Sequence, residues 1–151
     1  MKTGSGKRLI RTYTMQLPFL AKEIFPLLCP VREYDWIPEW HCRLAYTESG
    51  FAELGCVFQT EFADQFGIET WVVSKYEKDS CIAFVRTGEH RTTRYTITLT
   101  PVNQSTSLVW QQELTGLRDR GNDLLTSAPP AAFSTQMQKL EQLLNNYLTN
   151  Q

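Results

Sequence analysis

The residues able to do chemistry in this chain are few and scattered. Arg86 is the sharpest of them, because Ile82, Phe84 and Arg86 alternate along one strand face and so place a guanidinium at the end of an apolar row. Turned inward, it would hold a carboxylate or phenolate through a bidentate fork, although an arginine near a strand end more often meets solvent. Gln112 shares a face with Leu108, Trp110 and Leu114; a buried amide needs a partner, which makes it the more telling residue. Glu61 would serve as a general base only if burial raised its pKa, and a lone strand carboxylate is expected at the surface. His41 and His90 are too few and too far apart for a metal site. Cys42 follows His41 directly, and neighbours on a strand point to opposite faces, which argues against a nucleophile and base. No catalytic residue, metal site or cofactor is expected.

The aromatic residues suggest a binding wall rather than a reaction centre. Trp36, Trp40 and Tyr46 fall close together in sequence and would form one end of a pocket or fill a core. Tyr95 joins Ile97 and Leu99 on one strand face, and Trp110 lies on the face of Gln112. Parity is ambiguous over residues 68–77: Trp71 and Val73 share a face with Lys75, whereas Val72 and Tyr76 share the other with Ser74. Trp71 and Tyr76 are both retained as lining candidates. Two motif-like strings are set aside. Gly4-Ser5-Gly6-Lys7 lacks the spacing, following hydroxyl and preceding strand of a phosphate loop, and Asn103-Gln104-Ser105 reads as a hairpin turn rather than a glycosylation acceptor.

The elements that would position these residues follow from composition and pattern. The 151 residues suit one domain, and with 42% hydrophobic and 21% charged residues the composition is globular. A formal net charge of −1 gives no electrostatic drive toward nucleic acid or an anionic membrane. Lys2, Lys7, Arg8 and Arg11 read as a solvated basic arm over the first residues. No apolar run approaches the ~20 residues of a membrane span, and a cytoplasmic location with free thiols at Cys29, Cys42, Cys56 and Cys81 is expected.

Residues 8–16 read as a first strand ending before Pro18. Residues 19–28 carry helical apolar spacing broken by Pro26, which predicts two short helical pieces. Period-two runs over roughly 42–48, 55–62, 68–77, 81–87, 92–101 and 106–116 predict six strands in an antiparallel meander, since their short turns allow only hairpins. Arg118, Asp119, Arg120 and Gly121 read as a polar connection. After Pro129-Pro130, Phe133, Met137, Leu140, Leu144, Tyr147 and Leu148 form one stripe of a long helix. Seven strands present an apolar face too large for one helix to cover, so the sheet must curl around it.

Three segments carry a resemblance. EIFPLLCPVREYDWIPEW resembles the helix pair, TWVVSKYEKDSCIAFVR the central hairpin, and SLVWQQELTGL with the final helix the closing strand and lid helix of the START/Bet v 1-like superfamily, the SRPBCC or polyketide cyclase-like group. Glu39 departs from the glycine that many relatives place between Pro38 and Trp40. The resemblance implies an α+β helix-grip fold and binding of lipids, aromatic polyketides or other hydrophobic molecules, with cyclase, aromatase, dehydratase or chaperone-linked roles in some branches. The leading expectation is a carrier or sensor that holds a hydrophobic small molecule against Trp36, Trp40, Tyr46, Trp71, Tyr76, Phe84, Arg86, Tyr95, Trp110, Gln112 and Met137. A cyclase-type enzyme and a co-chaperone-like interaction module are the alternatives, and a homodimer is compatible with each.

Overall fold

The structure is a computed structural model and describes residues 5–151, so of the basic residues Lys2, Lys7, Arg8 and Arg11 only Lys2 lies outside it. The chain forms seven strands, with burial alternating most clearly in the first, sixth and seventh: β1 (Arg8–Leu17), β2 (Arg43–Tyr46), β3 (Val57–Glu61), β4 (Ile68–Glu77), β5 (Cys81–Thr87), β6 (Arg91–Val102) and β7 (Ser105–Gly116). They form one antiparallel sheet in the order β1-β7-β6-β5-β4-β3-β2. The meander is therefore as the turn residues suggested. β1 closes it by pairing with β7 from Arg8 opposite Thr115 to Leu17 opposite Thr106.

Between β1 and β2 the chain makes a single α-helical turn, α1 (Ala21–Ile24), and two 3₁₀ turns, Phe25–Leu27 and Glu33–Asp35. Glu23 caps the first by accepting the Leu20 N–H at 2.9 Å. Pro26 ends the α geometry because it has no N–H to donate, and it is tolerated in the first turn of the 3₁₀ piece that follows. The indole N–H of Trp36 and that of Trp40 donate to the Leu27 and Pro30 carbonyls, at 2.9 and 2.8 Å, and tie these turns together.

The long helix α3 (Ala132–Thr149) buries Phe133, Met137, Leu144 and Leu148 and half-buries Leu140 and Tyr147, so the predicted stripe faces the sheet. At ~1.5 Å per residue it spans about 27 Å, enough to cross the curled sheet. The polar connection before it is a correction: Asp119–Ser127 form a further helix, α2, that buries Leu124 and Leu125. Gly121 permits this, because a Cβ there would collide with the His90 carbonyl oxygen. No helix among the described residues is long and apolar enough to cross a membrane.

Candidate functional site

The curl of the sheet turns one face of β3–β7 and β1 toward α3. Phe58 stacks on Trp71 with ring centres 5.3 Å apart, Phe84 meets both edge-on, and Tyr95 lies between Trp71 and Trp110 at 6.3 and 6.1 Å. Trp71, Phe84, Tyr95, Trp110, Gln112 and Met137 are all buried on this wall, together with Arg86. The Tyr95 hydroxyl lies 3.8 Å from Met137 Sδ, so sheet and helix touch there.

A bulge resolves the parity of β4. Val73 pairs with Phe84 but Lys75 pairs with Ala83, so Ser74 is extra and the alternation reverses beyond it. Trp71 and Val73 therefore share the inner face with Tyr76, which pairs with Ile82 and meets Phe25 edge-on at 5.4 Å. Trp40 is half-buried beside Phe58 and Phe62, with ring centres 6.4 and 5.9 Å away. Tyr46 is a correction. It is 55% exposed on the edge strand and donates its hydroxyl to Glu48, so it lines nothing internal. β2 has only four residues with a register shift between Leu44 and Tyr46, too short to curl over the wall. Glu39 and Glu61 are exposed.

Arg86 is not at the surface. It is 7% exposed; its Nε donates to Glu69 Oε1 at 2.8 Å, and its Nη2 stands in ion-pair contact with the same oxygen, also at 2.8 Å. Arg91 completes the cluster: its Nε donates to Glu69 Oε2 at 2.9 Å and its Nη2 to Oε1 at 2.8 Å. Arg91 is itself 5% exposed and Glu69 1%, so two guanidiniums share one buried carboxylate. Desolvation, then the charge of Arg91, lowers the pKa of Arg86 to about 10. The guanidinium of Arg86 sits 4.5 Å from the Trp71 ring and 5.1 Å from Phe62, and that of Arg91 3.6 Å from Phe66. The β3–β4 loop thus covers both cations with aromatic faces.

Arg11 also departs from expectation. Rather than lying in a solvated arm, it is half-buried on β1, donating Nε–H to Gln112 Oε1 at 2.9 Å and resting 4.7 Å from the Phe133 ring. Gln112 thereby has the partner its burial demands. Two other inner atoms lack one: Trp110 Nε1 and Thr93 Oγ1 are buried with no hydrogen-bond partner among the described residues.

Sequence reasoning missed Glu69, Arg91, Thr93 and Glu33. Glu69 was legible in principle, since it shares the alternate face of Trp71 and Val73. Arg91 follows Glu89 and His90 in what reads as a turn, yet it is the first residue of β6. Glu33, on the second 3₁₀ turn, is half-buried with no ion pair among the described residues. Loss of hydration pushes its carboxyl up to about 8, and its charge raises the pKa of the deeply buried Tyr95 hydroxyl beyond what desolvation does.

Two concavities accompany this wall. A concavity of about 210 Å³ is lined by Phe25, Leu28, Cys29, Phe51, Tyr76 and Ile82 among others, and one of about 440 Å³ lies between Leu27, Arg32, Tyr147 and Leu148. Trp71, Phe84, Tyr95, Trp110 and Met137 belong to the buried core. The first concavity continues the inner wall, because Tyr76 and Ile82 are inner-face residues.

The sequence matches no protein-family model. It matches no curated protein. Solved structures do resemble it. An uncharacterised protein from Rhizobium leguminosarum superposes with a TM-score of 0.71 at 14% identity, covering 97% of this chain and 98% of that one. Norcoclaurine synthase from Thalictrum flavum, in complex with dopamine and hydroxybenzaldehyde, gives 0.70 at 10% identity over 99% and 95%. DynU16, from the dynemicin biosynthetic locus, gives 0.62 at 16% over 93% of this chain and 47% of that one. With its seven-stranded antiparallel sheet, short turns after β1 and long C-terminal helix, the chain has the helix-grip fold of the Bet v 1-like proteins.

Proposed function

We propose that this protein binds a small, mainly apolar or aromatic molecule between the inner sheet face and α3. The carrying observation is the pair of orphaned polar atoms on that wall, Trp110 Nε1 and Thr93 Oγ1. A buried donor without an acceptor costs about 1–3 kcal/mol, and an acceptor on a ligand relieves that cost. The stacked rings of Phe58, Trp71, Phe84 and Tyr95 supply flat apolar surface beside it. Met137 closes the wall, and its unbranched side chain repacks at low cost. The norcoclaurine synthase neighbour, which holds two small aromatic molecules on a similar scaffold, supports the same reading.

Native mass spectrometry of the purified protein, followed by denaturation, tests it. A released small molecule, or saturable uptake of added aromatic compounds, is the expected result. Failure of every apolar and aromatic probe to bind would remove the proposal.

A second reading, catalysis in the same space, is favoured by the burial of Arg86 and Gln112 on the inner face. In that reading Arg86 and Gln112 would orient a cyclase-type substrate.

A further inference from the structure

We infer that the molecule bound here is a carboxylate whose charged end is received where Arg86 and Thr93 face each other across β5 and β6. The inference rests on the binding proposed above and adds the chemistry of the ligand's head.

The charge balance on the inner wall is uneven. Glu69 accepts from both Arg86 and Arg91, so its oxygens are committed and the trio retains one uncompensated positive charge. Arg11 brings a third guanidinium to the wall, its pKa lowered by burial first and then by the charge of Arg91. The opposing groups are few: Asp64 acts on Arg86 from the exposed β3–β4 loop, and Glu33 acts on Tyr95 from the 3₁₀ turn. Excess buried charge is costly unless paired, and a ligand anion would pair it.

Geometry gives the location. Arg86 stands opposite Thr93 in the β5–β6 register, and Thr93 stands opposite Leu114 on β7. Thr93 is 1% exposed, yet its hydroxyl has no partner among the described residues. Arg86 donates only Nε–H of its five N–H donors to Glu69, with Nη2 held against the same oxygen as an ion pair. A free hydroxyl at the strand position opposite an arginine with uncommitted N–H donors suits a carboxylate oxygen pair. An alcohol or ketone would use the hydroxyl and leave the charge unmatched.

The wall also sets a length. From Arg86 to Ile82, at the rim of the 210 Å³ concavity, is four residues, about 13 Å at ~3.3 Å each. Phe84, Trp71 and Val73 line that stretch. An apolar body extending from the head would run along these rings toward the rim.

The test is isothermal titration calorimetry with octanoate, decanoate and naphthalene-2-carboxylate, each beside the neutral alcohol of the same skeleton. The wild-type protein should prefer each acid it binds by about tenfold or more over its alcohol. Arg86→Met removes the excess charge while leaving Glu69 paired with Arg91, and the preference should fall to about twofold or less. Thr93→Val removes only an unpartnered hydroxyl, so it should fold at least as well as wild type and lose acid affinity several-fold with alcohol affinity unchanged. Equal binding of acids and alcohols would overturn the carboxylate inference and leave apolar binding standing. Binding of neither class would overturn both. If Arg86→Met does not fold, an acid affinity undiminished in Thr93→Val refutes the site.

Discussion

Replacing Glu33 by glutamine should change how stability depends on pH and change little else. The folded protein raises this carboxyl from 4.5 to about 8, with burial as the cause. A raised pKa means the folded state holds the proton that the unfolded state releases. Stability from this group is therefore fully present below the unfolded value and is lost as pH rises through the folded one. With each tenfold change in proton affinity worth ~1.4 kcal/mol, wild type should lose about 2 kcal/mol relative to Glu33→Gln between roughly pH 5 and pH 7. Glutamine keeps the shape of the protonated acid and cannot ionise. Urea unfolding of both proteins at half-unit intervals from about pH 5 to pH 8 gives the difference directly, and subtraction removes every other titrating group. Wild type should unfold at progressively lower urea than the variant as pH rises. Parallel midpoint curves would show that the carboxyl is hydrated and ionised, and would remove the reason for treating it as a neutral acid.

Glu69→Leu leaves Arg86 and Arg91 buried without their shared carboxylate and should cost about 3–5 kcal/mol by chemical denaturation; a loss under about 1 kcal/mol would show that water reaches the pair. Leu144→Ala, at a position with no exposed surface on α3, should cost about 2–5 kcal/mol through the cavity it opens, read as a lower thermal midpoint. Gly121→Val would drive a side chain into the His90 carbonyl and should lift α2 away; hydrogen exchange at Leu124 and Leu125 should accelerate by more than tenfold, or about 1.4 kcal/mol of lost protection. Trp71→Phe removes the indole N–H given to Thr60 Oγ1 at 2.8 Å and should cost about 1–2 kcal/mol.

The fold was legible because its periodicities are unmixed. β1, β6 and β7 alternate, the α3 stripe keeps helical spacing, and the turns between β2 and β7 are too short for anything but hairpins. α2 escaped notice because it is short and polar, and its contact depends on the absence of a side chain at Gly121. The aromatic wall was visible one strand at a time. Its completion at Tyr76 was not, because nothing in Val73-Ser74-Lys75 announces a bulge, yet one extra residue moves Tyr76 to the inner face. The charged part of the site was the least legible. Glu69, Arg86 and Arg91 lie on three different strands and become a cluster only through sheet register, and Arg11 joins the wall only because β1 pairs with β7. Charge in sequence reads as solvent exposure until its partner is placed beside it.

The four tryptophans provide the most direct test that the wall between sheet and α3 is where a ligand sits. Trp36, Trp40 and Trp71 each donate an indole N–H inside the protein, and Trp110 does not. In a ¹H–¹⁵N spectrum titrated with a binding aromatic or apolar compound, the Trp110 indole resonance should move furthest, downfield as it gains an acceptor, with Trp71 following through ring currents. A titration that moves Trp36 and Trp40 and leaves Trp110 in place would put the ligand among the short turns after β1 and contradict the account.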